Sequence, residues 1–144
     1  MDESVFIRET KIIYYGKPRK AVVIKSPKNV YEFLKDYENY TEERFVALFL
    51  NIRNAIIGWQ EITKGTMTET LVSAREVFRP AVISGAVAII VAHNHPAGDV
   101  KISDQDISTT QKLKEAGDIL NIKLLDHVII GFKQWVSLRE EYHL

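Results

Sequence analysis

Cysteine is absent from all 144 residues, which excludes disulfides and every thiolate metal site and leaves imidazole and carboxylate as ligands for an ion. An excess of either charge is missing as well. The 19 Lys+Arg balance 19 Asp+Glu, the net charge is zero, and no basic block stands out, so direct nucleic-acid binding is not indicated by charge. There is no run of about 18 apolar residues and no signal-peptide core, so no membrane partner is expected and the chain reads as soluble and cytoplasmic. With 144 residues and 46% hydrophobic composition it can bury one core and is too short for two ordinary domains, so a single domain over 1–144 is expected. Repeats, low-complexity tracts and linkers are also lacking.

What is present alternates between strand and helix patterns. Residues 5–15 and 20–25, rich in Val, Ile and Tyr and separated by Gly16-Lys17-Pro18, predict a hairpin. Ser26-Pro27 reads as an N-cap with Pro at the first helical position, opening a helix to about Tyr37. The apolar run Phe45–Leu50 and the segment Ala55–Ile62, joined by Asn51-Ile-Arg-Asn54, predict two strands in the sheet interior. Ser73-Ala-Arg-Glu76 has capping-box spacing and begins a helix whose apolar face carries Val77, Phe78, Ala81 and Val82, ending at Gly85. Ala86–Ala92 is the most hydrophobic segment and predicts a buried strand. Ser103 opens a helix to about Leu120, with Ile107, Leu113 and Leu120 as inward candidates and Asn121 as its stop. Strands over Ile122–Gly131 and near Trp135–Leu138 follow. The fold class is α/β or α+β, a mixed central sheet flanked by helices.

The chemistry concentrates where the buried strand ends, in His93-Asn-His95-Pro96-Ala97-Gly98 followed by Ser103-Asp104-Gln105-Asp106. Side chains one residue apart in an extended backbone share a side, so His93 and His95 can grip one ion together. The seven residues between His95 and Ser103 let a loop fold back and bring Asp106 as an oxygen ligand. Three protein ligands leave a fourth position for water, the arrangement of a catalytic zinc. A simpler explanation exists for part of this: Ser103 and Asp106 also have the spacing of a capping box, which needs no ion and can coexist with one. Two polar rings at the end of a buried strand are harder to account for without a shared role.

His93-x-His95, seven residues, then Ser103-x-x-Asp106 resembles the signature of the JAMM (MPN+/JAB) metalloproteases, among them zinc-dependent deubiquitinating isopeptidases. With Leu124-Leu-Asp-His-Val-Ile-Ile-Gly131 the chain is more closely similar to the RadC-like branch, bacterial proteins long labelled as DNA repair proteins. The resemblance runs from about Glu43 to Leu144, through Gly65-Thr66, Ser73-Ala-Arg-Glu76 and Trp135-Val-Ser-Leu138. It implies a JAB/MPN-like fold of cytidine-deaminase-like architecture, with 41–144 as the metal-site core and 1–40 as an N-terminal hairpin-and-helix extension. Asn94 stands where most JAMM peptidases have Ser or Thr, and Ala97 where the RadC pattern usually has Ser. The first departure leaves the ligands untouched but weakens the expectation of a ubiquitin-like substrate. Full-length RadC proteins carry a helix-hairpin-helix-like segment before the JAB domain; about forty residues precede Glu43 here, and no DNA contact of that segment is expected.

The resemblance further implies one Zn2+ per chain held by His93, His95 and Asp106, hydrolysis of a peptide or isopeptide bond by metal-activated water, and Ser103 as the oxyanion donor. The family's general base is a glutamate just before an apolar strand. Glu42, Glu43, Glu61 and Glu76 are the candidates, and Glu43 fits that description best. Asp126 and His127 form a candidate hydrogen-bonded pair behind the ligands; His127 as a fourth ligand would close the site. His143 reads as a mobile surface residue. A zinc deaminase is disfavoured by the missing cysteines, and the contiguous letters His-Asn-His are not the dispersed motif of HNH nucleases. The alternative to a hydrolase is a non-catalytic DNA-repair or mobile-element accessory protein that uses the same fold to bind DNA or a protein partner.

Overall fold

A computed structural model describes residues 5–65 and 72–142. Thr66 of the resemblance and His143 lie outside the described residues. The elements run α1 (Pro27–Phe33), a 3-10 turn (Lys35–Asn39), β1 (Arg44–Leu50), β2 (Ile56–Lys64), α2 (Ala74–Ile83), β3 (Ala88–Asn94), α3 (Asp104–Leu120), β4 (Lys123–Gly131), β5 (Gln134–Ser137) and α4 (Leu138–Tyr142). The five strands form one mixed sheet in the order β2-β1-β3-β4-β5, parallel between β3 and β4 and antiparallel elsewhere. It is a mixed α/β arrangement with helices on both faces of the sheet.

Both faces of the central strands are covered, which is why β1 and β3 read as continuous apolar runs. Val46, Leu48 and Leu50 with Ala88, Ile90 and Ala92 pack against Val30 and Tyr31 of α1 and Leu34 and Tyr37 beyond it. Phe45, Ala47 and Phe49 with Ile89 and Val91 pack on the other face against Val77, Phe78 and Ala81 of α2 and Leu113 of α3. Helix α3 is the crossover between the parallel strands β3 and β4, the connection such a pair requires.

Several expectations are corrected. No hairpin forms over 5–25: segment 22–24 pairs instead with 54–56, through Ile24 N–H to Asn54 O at 2.8 Å, Ile56 N–H to Val22 O at 2.8 Å and the Val23–Ala55 bridge. Phe6, Ile7, Ile13 and Tyr15 are exposed, because nothing in 5–15 alternates strictly enough to offer one apolar face to a partner strand. β2 is an edge strand, not an interior one. Val82 and Leu120 point to solvent. At α2, Ser73 Oγ accepts the Glu76 N–H, but the Glu76 carboxylate turns to Arg79 at 2.7 Å, so only half of that capping box is made. The helix from Pro27 tightens into its 3-10 turn after Phe33.

Asp126 is buried and pins the C-terminal turn to β4, accepting from Ser137 Oγ at 2.7 Å, from Arg139 N–H at 3.1 Å and from His127 N–H at 2.7 Å. Burial pushes its carboxyl pKa up; the three donors act against that. Asp126→Ala leaves those donors without their acceptor, and each buried orphan costs roughly 1–3 kcal/mol. Urea unfolding at neutral pH is therefore expected to show a loss of about 3 kcal/mol, and a change below about 0.5 kcal/mol would contradict this role.

Candidate metal centre

β3 ends where α3 begins to face it, and that junction brings the sequence-predicted ligands together. His93 is the last inward side chain of the β3 face that carries Ile89 and Val91, and Phe45 of β1 lies opposite it in register. His95 follows on a loop tied to β4 by His95 N–H to Ile130 O at 2.9 Å. The same loop is closed by Gly98, φ +90°, whose carbonyl accepts the Phe132 N–H at 2.9 Å. Asp106 is the third residue of α3 and completes the capping box: Ser103 Oγ accepts the Asp106 N–H, and Asp106 Oδ2 accepts the Ser103 N–H, both at 3.0 Å. The cap leaves Asp106 Oδ1 facing His93, and the positive end of the helix dipole favours a carboxylate there.

His93 Nε2 lies 3.0 Å from His95 Nε2 and 3.3 Å from Asp106 Oδ1, and His95 Nε2 lies 3.7 Å from Asp106 Oδ2. One donor atom from each residue falls within 4.8 Å of the others, a set that can hold a metal ion. His93 and Asp106 are buried whereas the His95 side chain is 15% exposed, so the cluster has a closed back and an open mouth. Two imidazoles and a carboxylate are the donor types of a three-ligand catalytic metal site. Burial acts to raise the Asp106 carboxyl, but the polar neighbours that converge on it hold it well below the usual carboxylate range. For His95, burial is outweighed by Asp106 and by Asp99, whose Oδ1 lies 3.4 Å from His95 Nδ1, and the pKa is raised.

His127 stands behind His93 and outside the ligand set, with its Nε2 2.7 Å from His93 Nδ1 and its Nδ1 2.6 Å from Thr110 Oγ1. It is fully buried, and burial followed by the neighbouring His93 holds its pKa well below the ordinary value. The expected side-chain pair of Asp126 with His127 is not formed. Consecutive strand residues face opposite sides, so the ring goes to the metal cluster while the carboxylate goes to the C-terminal turn and meets only the His127 backbone.

Among the glutamates, Glu61 is opposite Val46 on the other sheet face, where it meets Arg44 and the Tyr37 hydroxyl, each at 3.3 Å. Glu76 is engaged at α2. Glu43 immediately precedes β1; the alternation of Phe45, Ala47 and Phe49, if continued to it, would put it on the side of the sheet that holds His93. Its flanking peptide groups are both held by the buried Asn94, whose Oδ1 accepts the Arg44 N–H at 2.7 Å and whose Nδ2 donates to the Glu42 carbonyl at 3.0 Å. Sequence reasoning missed Asn94, Asp99 and Thr110 as contributors. One of them had a signal: Thr110 is four residues beyond Asp106 on one helix face.

No helix among the described residues is long and apolar enough to cross a membrane. The RadC-like JAB domain family matches residues 24–143. A UPF0758 protein of Staphylococcus haemolyticus is 45% identical over 121 residues, covering 83% of this chain and 53% of its own. A UPF0758 protein of Chlorobaculum tepidum is 43% identical over 118 residues, covering 81% and 53%. One from Trichodesmium erythraeum is 40% identical over 131 residues, covering 90% and 54%. The chain thus spans about half the length of these curated relatives. With a match running from Ile24 through the sheet and its crossover helix to the last described turn, this chain belongs to the RadC-like JAB domain family.

Proposed function

We propose that the chain is a zinc-dependent hydrolase of JAMM type, cleaving a peptide or isopeptide bond with activated water. The observation that carries the reading is the convergence of His93 Nε2, His95 Nε2 and an Asp106 carboxylate oxygen, closed behind by the core and open on the His95 side. Zinc held there supplies Lewis acidity, polarising a carbonyl and bringing the pKa of water towards about 7.

The rest is assigned to the chain's own side chains. Glu43 accepts the proton of the attacking water and returns it to the leaving amine. Asn94 fixes the backbone on both sides of Glu43, so the base is held by a buried amide rather than by the end of a strand alone. Ser103 Oγ is an acceptor at the α3 cap, which occupies a lone pair and leaves its O–H to donate to the substrate oxyanion. The substrate is a peptide or protein, since the balanced charge offers no general attraction for a polyphosphate.

The test is hydrolysis of peptide and isopeptide-linked substrates by the zinc-loaded chain. Cleavage abolished by a chelator and restored by zinc is the expected result. A loaded site that cleaves neither bond type overturns the hydrolase, and leaves a JAB-fold accessory module that binds DNA or a protein partner.

A further inference from the structure

Behind the ligands runs a line of hydrogen bonds whose direction is set at its far end. Thr110 Oγ1 lies 2.6 Å from the Asp106 carbonyl oxygen and 2.6 Å from His127 Nδ1. A carbonyl oxygen only accepts, so the single hydroxyl proton of Thr110 is committed to Asp106. Thr110 then has only lone pairs to offer, and His127 must carry a proton on Nδ1 to meet it. His127 is fully buried with no carboxylate bonded to its ring, an environment that keeps an imidazole neutral. A neutral ring protonated on Nδ1 has its lone pair on Nε2.

That lone pair faces His93 Nδ1 at 2.7 Å, so His93 in turn carries its proton on Nδ1. Its Nε2 lone pair is left pointing to where His95 Nε2 and Asp106 converge. The line begins at the backbone of one ligand residue and ends at the ring of another. A threonine bonding the carbonyl four residues earlier is common in helices and by itself means nothing. The second partner, a buried ring nitrogen, makes Thr110 more than a helix residue, and Thr110 is itself fully buried.

We propose that Thr110, acting through His127, is a positioning residue that fixes the tautomer of His93 and so presents its Nε2 to the divalent cation. The inference rests on the metal-site reading above, although the tautomers exist without metal. In the absence of the hydroxyl, His127 is free to move its proton to Nε2 and donate to His93 Nδ1. His93 then carries its proton on Nε2, where it blocks ligation. His95 is oriented differently, by the carboxylate of Asp99, so the two imidazoles depend on separate supports.

Long-range proton–nitrogen correlation spectra of the metal-free full chain read imidazole tautomers directly. Wild type is expected to show both His93 and His127 protonated on Nδ1. Thr110→Val, equal in size but without the hydroxyl, is expected to shift both rings away from that form and to weaken zinc binding 10–100-fold, as supporting groups of metal ligands do. Thr110→Ser restores both properties. An Nε2-protonated His93 in wild type, or an unchanged His93 tautomer in folded Thr110→Val, overturns the proposal. If Thr110→Val does not fold, the wild-type and Thr110→Ser spectra still decide it. Expected tautomers in a wild type that binds no zinc would leave the relay standing and sink the metal reading alone.

Discussion

His95→Ala and Asp106→Ala are each expected to abolish the binding of one zinc per chain that the wild type shows by metal analysis after gel filtration. Each substitution removes one of three converging donors. Affinity should fall further than the 10–100-fold typical of groups that merely support ligands. The two variants fail for different local reasons. His95 sits on a loop at the rim of the cluster and is tied to β4 by its backbone N–H, which alanine keeps, so its loss leaves the fold intact. Asp106 also accepts the Ser103 N–H, so Asp106→Ala weakens the start of α3 by about 1 kcal/mol; Asp106→Asn, which retains an oxygen for that bond, separates the two effects. Wild type without stoichiometric zinc, or variants that retain it, would remove the basis of the proposed hydrolase.

Glu43→Gln is expected to lower kcat by about 100- to 10,000-fold while zinc content stays at one per chain. The amide cannot take a proton, but it occupies the same space and the backbone around it is unchanged. Asn94 holds that backbone through the peptide groups on either side, not through the residue 43 side chain. A loss of zinc in this variant would show that Glu43 belongs to the ligand set, and undiminished hydrolysis would show that the base lies elsewhere.

The clustering of His93, His95 and Asp106 was legible in the sequence because the three are nearly local. Two alternate residues end one strand, and the third caps the next helix, so periodicity and capping chemistry suffice to place them together. β1, β3 and α3 were legible for a related reason: long apolar runs and capped periodic segments carry their own assignment. What failed depends on distant partners. The apolar residues of 5–15 resemble a strand, yet whether they pair is decided by the start of β2, which takes up 22–24 instead. Asp126 and His127 look like a pair in sequence and are parted by the pleat of β4. Asn94 becomes informative only when the β1–β3 register places Arg44 beside it. Thr110 was visible as a neighbour of Asp106, but the ring that gives it meaning comes from β4.

The three donors and the groups that orient both histidines all come from one strand–helix–strand unit, 88–131. The proposed base is borrowed from the residue before β1, a neighbour joined to that unit through its register on β3 and the Asn94 amide. Ion retention and bond cleavage are therefore separable inheritances. If the chain is the hydrolase proposed, a change confined to the few residues before Arg44 would abolish cleavage and leave the histidine–aspartate signature of the crossover unit intact. On the proposed reading, the His93–His95–Asp106 cluster speaks for an ion site and not, by itself, for an enzyme.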